Sequence, residues 1–184
     1  MSDHAETLCD RAGAGDLSAA SELLSLFYER IFAYFRRLCR NDADAADLTQ
    51  KTFFKVWTSL ASFQRRSRFS TWLHGIAHHV YVDWRRTNKL ADPQTDEWWE
   101  ACAANGPSPF DHAAERDLAH RLYALVERLE DGSREVIHLH YYQGLSLNET
   151  AQALGVATST VKYRLREALG FLRSQTNAPQ LRAI

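Results

Sequence analysis

Apolar residues in the first part of the chain recur every three or four positions, the spacing of one face of an α-helix. This periodicity predicts a first helical run over about 18–40. Asn41 and Asp42 interrupt it, and a second helix follows, capped by Asp44 and ending near Leu60. After a loop rich in arginine, Ser70 is the expected cap of a third helix.

Two of these helices are predicted to have one apolar and one polar face. On the second helix the expected buried residues are Phe53, Val56, Trp57 and Leu60, and the expected exposed ones are Asp47, Gln50, Lys51, Phe54 and Thr58. On the third helix the expected buried residues are Leu73, Ile76, Ala77, Val80 and Trp84, and the opposite face holds Thr71, His78, Val82, Arg85 and Arg86. An exposed aromatic such as Phe54 on a polar face suggests a partner.

The periodicity stops between residues 89 and 112, a stretch with three prolines that is typical of a linker. Helices resume over about 113–129 and 133–143. The sequence therefore predicts an all-α protein, with two small helical domains joined by a flexible linker. The expected boundaries are 1–89, 90–114 and 115–184, and proteolysis in the linker is expected to release two folded fragments.

A helix-turn-helix is predicted between Ser146 and Leu172. Ser146 and Glu149 form a capping box for a short helix, and Gly155 ends that helix. A second helix follows, capped by Thr158 or Ser159. Its apolar stripe is Val161, Leu165, Ala168 and Leu172.

The opposite face of this second helix carries hydroxyl, phenol and cationic groups, namely Ser159, Lys162, Tyr163 and Arg166. Such donors reach base edges and phosphates when a recognition helix enters the major groove. An ordinary helical hairpin with a solvated face is the alternative interpretation. The small-residue spacing and the capping box favour DNA binding.

The net charge of the 184-residue chain is −1, which is low for a protein that binds DNA alone. Its distribution is uneven, because residues 61–90 carry +5 and 146–184 carry +3 around an acidic stretch of −6 at 91–117. Two nucleic-acid contacts separated by a connector would give this pattern. The cationic loop and third helix also suit single-stranded nucleic acid, where aromatic faces stack on bases.

The remaining chemistry argues against an enzyme. The three cysteines lack disulfide or zinc-site spacing, which fits a cytoplasmic protein, and no phosphate-binding glycine loop or nucleophile–base pair is found. His74 and His78 are spaced for a metal, but no third ligand shares their face. We therefore expect no metal and no cofactor. No membrane-spanning run or signal peptide is recognised either.

The ordered motifs resemble those of the extracytoplasmic-function (ECF) sigma factors, the sigma-70-family subunits that give bacterial RNA polymerase its promoter specificity. The resemblance runs from about Leu8 to Leu172 and includes DADAADLTQKTFFKVW, FSTWLHGIAHHVYVDWRR and STVKYRLREAL. It implies that the chain binds core RNA polymerase and promoter DNA and directs transcription initiation. It also implies an anti-sigma factor as a further partner.

The resemblance assigns three sets of residues. Polymerase binding falls to Asp47, Leu48, Gln50, Lys51 and Phe54. Reading and opening of the minus-10 element fall to Phe63, Arg65, Arg66, Arg68, Thr71, Trp72, His78, Arg85 and Arg86. Reading of the duplex minus-35 element falls to Thr158, Ser159, Thr160, Lys162, Tyr163, Arg164 and Arg166.

The sequence departs from the family pattern at Lys51, Glu130, Tyr163 and Glu167. Lys51 reverses a charge on the polymerase-facing side. A stand-alone helix-turn-helix regulator is the alternative function. It would need a symmetric dimer, and it would leave the basic block at 61–90 without a role.

Overall fold

The computed structural model describes residues 2–88 and 122–175. Every regular element in those ranges is helical, which confirms the predicted all-α class. The linker predicted at 90–114 lies outside the described residues, so the domain boundaries stay a prediction. None of the helices in the described ranges is both long and apolar enough to cross a membrane.

The N-terminal half contains four α-helices, which are α1 (Ser2–Gly13), α2 (Leu17–Cys39), α3 (Asp42–Ser59) and α4 (Phe69–Thr87). A short 3-10 helix at Leu60–Ser62 extends α3. Helix α1 was not predicted from the sequence. Its buried side is formed by Ala5, Leu8, Cys9 and Ala12, mostly small residues whose apolar stripe is weaker than that of α2.

The helix caps explain where α2 and α3 begin. Asp16 caps α2, because its carboxylate accepts a hydrogen bond from the Ala19 backbone N–H at 3.0 Å. Asn41, and not Asp44, caps α3: the Asn41 side chain accepts from the Asp44 backbone N–H at 3.0 Å. The predicted cap at Ser70 is also wrong, since α4 already begins at the fully buried Phe69.

The C-terminal half begins with helical residues 122–127, called α5 here. It continues with α6 (Asp131–Ile137), a π-helical turn at His138–Tyr142, α7 (Leu147–Leu154) and α8 (Thr158–Gln175).

The predicted helix-turn-helix is present as α7 and α8. Both hydrogen bonds of the Ser146–Glu149 capping box form, and Gly155 has a left-handed φ of 64° that favours glycine. Val161 is fully buried where α8 crosses α7. The predicted cap of α8 is wrong, since the helix already includes Thr158, whose hydroxyl donates to the Asn148 side chain at 3.1 Å.

The two halves are packed against each other, although the sequence analysis treats them as separate units. Val136, Leu139 and Leu154 of the C-terminal half belong to the same buried cluster as Tyr34 and Leu73 of the N-terminal half. A second, smaller cluster stabilises the C-terminal half alone, with Val126, Leu129, Ile137, Ala168 and Leu172. The relative placement of the halves therefore decides which surfaces are accessible.

Candidate partner and nucleic-acid surfaces

An open groove of about 1080 Å³ runs between α2 and α3. Three aromatic side chains on its walls are exposed: Tyr28 at 44%, Phe54 at 68% and Trp57 at 45%. The exposure predicted for Phe54 is confirmed. Clustered exposed aromatics are typical of sites that bind another protein.

Trp57 and Leu48 lie on the sides of α3 opposite to their predicted ones. Trp57 faces the groove with Gln50 and Phe54, and the spacing of four and three could have revealed this from sequence. Leu48 is 1% exposed and continues the buried row of Ala45 and Val56. The direct polymerase contact predicted for Leu48 is therefore wrong, because this side chain packs inside the N-terminal half.

Asp47 and Lys51 form an ion pair one helical turn apart, with Nζ and Oδ2 at 2.5 Å. Both side chains are at least half exposed, so solvent screens the pair and its contribution to stability is small. Lys51 neutralises Asp47 at the mouth of the groove. Lys51, which departs from the family pattern, thus changes the charge of this surface.

The loop between α3 and α4 is anchored by aromatic packing. The Phe63 ring lies 4.7 Å from the Trp72 ring and 6.1 Å from the Phe69 ring, measured between centroids. Arg65 adopts a left-handed φ of 53° and pairs with Asp10 of α1. Phe63 and Trp72 are therefore partly buried supports of the loop, and Arg65, Arg66 and Arg68 extend from it.

Several residues predicted to read the minus-10 element instead face the C-terminal half. His78 Nδ1 lies 2.6 Å from Glu135 Oε1, and Arg85 pairs with Asp131. Thr71 is only 2% exposed, so it is inaccessible in this arrangement and its DNA contact stays a prediction. It lies on the same side of α4 as His78, the side that the C-terminal half covers. The acidic partners were not predicted, because they are far away in sequence.

The outer face of α8 is open. Ser159, Lys162, Tyr163 and Arg166 are all exposed, which confirms the predicted polar face. Thr158 and Thr160 are partly exposed at the start of the helix. The side chains predicted to make major-groove contacts are therefore accessible together on one helix.

Arg164 lies apart from that face. Its guanidinium is packed over Gly132 at the start of α6, where a Cβ would come within 2.9 Å of it. Gly132 leaves the space that this side chain fills. Arg164 is therefore a partly buried contact between α8 and α6.

Two histidines lie in the core. Burial lowers the pKa of His74 to about 4, because the charged imidazolium loses its hydration. Burial and the nearby Arg37 and Arg134 lower the pKa of His138 to about 3. His74 and His78 do not form a metal site with a third ligand, and no group of three His, Cys, Asp or Glu suited to a metal is present in residues 2–88 and 122–175.

Comparison with known proteins identifies the family of the chain. Residues 23–90 match sigma-70 region 2, and residues 119–172 match sigma-70 region 4. RNA polymerase sigma factor YlaC of Bacillus subtilis is 30% identical over 148 residues, which cover 80% of this chain and 86% of YlaC. The chain belongs to the sigma-70 family.

The sigma factor is also similar to members of the ECF group. ECF RNA polymerase sigma factor SigW of Bacillus subtilis is 28% identical over 169 residues, which cover 88% of this chain and 90% of SigW. The solved structure of CnrH in complex with the cytosolic domain of CnrY has a TM-score of 0.69 at 26% identity, covering 94% of this chain and 96% of that one. These matches favour an ECF sigma factor over a stand-alone regulator.

Proposed function

We propose that this sigma factor divides its work among three surfaces. The groove between α2 and α3 binds core RNA polymerase, the 63–68 loop and α4 read and open the minus-10 element, and α8 reads the duplex minus-35 element. The corresponding domains are 1–89 and 115–184, joined by the linker at 90–114. The observation that carries the proposal is the aromatic groove within residues matched to region 2.

The groove suits a protein partner better than a small ligand. Phe54 and Trp57 lie one turn apart on α3, and Tyr28 faces them from α2. Aromatic side chains supply most of the binding free energy at many protein interfaces. Asp47, Gln50 and Lys51 add polar groups beside them, as expected at the rim of such an interface.

The overall charge also fits a subunit that binds DNA together with a partner. A net charge of −1 provides little counterion release for binding to DNA alone. Core polymerase would supply most of the phosphate contacts. The sigma factor would then need only the exposed donors of α8 and the cationic loop with Arg65, Arg66 and Arg68.

The proposed function also implies the absence of catalysis, a cytoplasmic location and a regulatory partner. The chain acts without catalysis of its own, as an initiation factor. It acts in the cytoplasm, where core polymerase and the chromosome are found. A regulatory protein binds it as an anti-sigma factor, in the way that the cytosolic domain of CnrY binds CnrH.

Transcription by purified core RNA polymerase tests the function. Adding this protein to core polymerase and fragmented genomic DNA is expected to give transcripts that share minus-35 and minus-10 elements. Core polymerase alone is the control. Equal transcripts with and without the protein, together with failure to co-purify with core polymerase, would contradict the proposal.

A further inference from the structure

We propose that Glu167 of α8 selects one base of the minus-35 element, by accepting a hydrogen bond from the N4 amino group of a cytosine in the major groove. This inference rests on the proposed function, because that function places α8 against duplex DNA. It goes beyond it by naming the base and the chemical group that one side chain recognises. Glu167 is not among the residues assigned to the minus-35 element above.

Glu167 lies on the same face of α8 as the residues assigned to DNA. Ser159, Tyr163 and Glu167 follow one another at spacings of four residues, which places their side chains in one row along the helix. All three are exposed, and so is Arg166, directly before Glu167. The buried stripe that begins at Val161 lies on the opposite side. A duplex that meets this row therefore also meets the Glu167 carboxylate.

The Glu167 carboxylate has no cation of the protein paired with it. Among residues 2–88 and 122–175, no ion pair or side-chain hydrogen bond includes Glu167. Arg164, three residues before it, is held over Gly132 of α6 instead. The carboxylate oxygens are therefore free to accept hydrogen bonds from a ligand of α8.

An unpaired carboxylate on a surface that meets DNA is unfavourable unless the DNA supplies a donor. It repels the phosphates, which attract the neighbouring Lys162 and Arg166. An ionised carboxylate only accepts hydrogen bonds, so its ligand must donate. The donors that bases present in the major groove are the amino groups of cytosine and adenine. Glu167 can therefore contribute to binding only at a base that carries one of these groups.

Cytosine suits a carboxylate better than adenine does. Adenine presents the N7 acceptor beside its N6 amino group, and this pair is matched by a side-chain amide that both accepts and donates. Cytosine presents its N4 amino group without an acceptor of its own beside it, so a group that only accepts is sufficient. Guanine and thymine offer acceptors alone and would repel the carboxylate. The chemistry of Glu167 therefore favours cytosine.

Repulsion of phosphates is the alternative role of this carboxylate. It would weaken binding to every sequence alike, whereas a cytosine contact acts at one position of the element. Glu167→Gln separates the two roles, because glutamine keeps the length and shape of glutamate and removes the charge. Its amide matches adenine, so it should also change which base is preferred at that position.

Promoter selection by holoenzyme, from a library randomised over the minus-35 element, is the first test. The wild type is expected to select cytosine at one position. Glu167→Gln should lower that preference by at least about fivefold and leave the other positions unchanged. Glu130→Gln is the matched control, because it removes an exposed negative charge outside α8 whose side chain makes no capping hydrogen bond to α6. Its selection should equal that of the wild type.

Removal of the amino group from the selected promoter is the second test. Replacing the cytosine by 2-pyrimidinone deletes the N4 amino group and keeps the ring, and replacing the paired guanine by inosine changes only the minor groove. The loss of holoenzyme affinity caused by 2-pyrimidinone should be at least about fivefold larger for the wild type than for Glu167→Ala. Comparing two proteins on the same DNA cancels the effect of the weakened base pair. Inosine should affect both proteins equally.

Two results would overturn the reading of cytosine by Glu167. One is a minus-35 preference of the wild type that Glu167→Gln leaves unchanged. The other is a Glu167→Gln variant that binds all members of the library more tightly by the same factor, which would assign Glu167 to phosphate repulsion. Transcription separates this inference from the proposed function: missing transcripts, or a wild type without any minus-35 preference, contradict the function, whereas normal transcripts with either of the two results contradict only the role of Glu167.

Discussion

Glu135 and His78 join the two halves of the molecule, with the carboxylate Oε1 2.6 Å from the imidazole Nδ1. The same carboxylate accepts the Tyr34 hydroxyl at 2.5 Å, and the Tyr34 ring is fully buried. Burial and the charge of Glu135 raise the pKa of the Tyr34 phenol well above its usual value. Tyr34 therefore stays protonated and serves as a donor.

Tyr34→Phe is expected to lower the free energy of unfolding by about 1.5–3 kcal/mol, because the buried Glu135 carboxylate loses a donor. Urea denaturation followed by circular dichroism measures the change. Tyr28→Phe is the matched control, since the Tyr28 ring is partly exposed in the groove and its change should be near zero. Equal stability of wild type and Tyr34→Phe would show that the hydrogen bond contributes nothing.

The two buried histidines make stability depend on pH. Their folded pKa values of about 4 for His74 and about 3 for His138 lie below the unfolded value of 6.5. The unfolded chain therefore binds more protons below pH 6.5, and stability is lost as the pH falls. The slope should be about 1.4 kcal/mol per pH unit for each histidine, between the unfolded value of 6.5 and the folded pKa of that histidine.

His138→Phe tests whether the buried histidines cause the pH dependence of stability. The substitution keeps an aromatic ring next to Tyr142 and removes the titrating imidazole. We expect the slope of unfolding free energy between pH 5 and 6 to fall by about half the histidine contribution. His79→Gln is the control, since it removes an exposed histidine and leaves the core unchanged. A wild-type slope in His138→Phe would assign the pH dependence to other groups.

Phe54→Ala is expected to weaken binding to core polymerase by at least about 1 kcal/mol, roughly fivefold, while the free energy of unfolding changes by less than about 0.5 kcal/mol. Its side chain is mostly exposed, so truncation leaves the core intact. Binding of labelled protein to core polymerase measures the first effect, and urea denaturation the second.

Two controls define the surface. Val82→Ala removes a similarly exposed apolar side chain from α4 and should leave core affinity unchanged. Leu48→Ala should instead lower the free energy of unfolding by about 2–5 kcal/mol, because Leu48 is buried. If Phe54→Ala melted like Leu48→Ala, the groove would be part of the core and not a binding surface.

Arg166→Ala and Lys162→Ala should separate base reading from phosphate binding on α8. Loss of a base contact costs about 1–3 kcal/mol and relaxes one position of the minus-35 element, whereas loss of a phosphate contact weakens all sequences and lowers the salt slope by about one. Selection of promoters from a randomised library by holoenzyme measures the sequence preference, and binding at several salt concentrations measures the salt slope. Unchanged preference in Arg166→Ala would remove its assignment as a base reader.

Arg164→Ala is the internal comparison for that pair. The Arg164 side chain packs over Gly132, so its truncation should act mainly on the contact between α8 and α6. The expected result is a lower melting temperature of the variant with an unchanged promoter preference.

Several elements of the fold could be predicted from local sequence signals. The Ser146–Glu149 capping box, the left-handed Gly155 and the stripe ending at Leu172 depend on residues within a few positions of each other. Their hydrogen bonds and packing are set by helix geometry, so they could be predicted. The weak stripe of α1 could not, because its buried side depends on what packs against the helix. The side of α3 on which Trp57 lies could have been predicted from its spacing to Gln50 and Phe54.

The sequence by itself determined the helices, the helix-turn-helix and the exposed donors of α8, since helical periodicity and capping act over single turns. Only the tertiary structure decided that α4 faces the C-terminal half. Tyr34 and Glu135 are 101 residues apart, and Arg68 and Glu149 are 81 apart. Pairings over such distances depend on how whole helices pack, and no local pattern in the sequence records them.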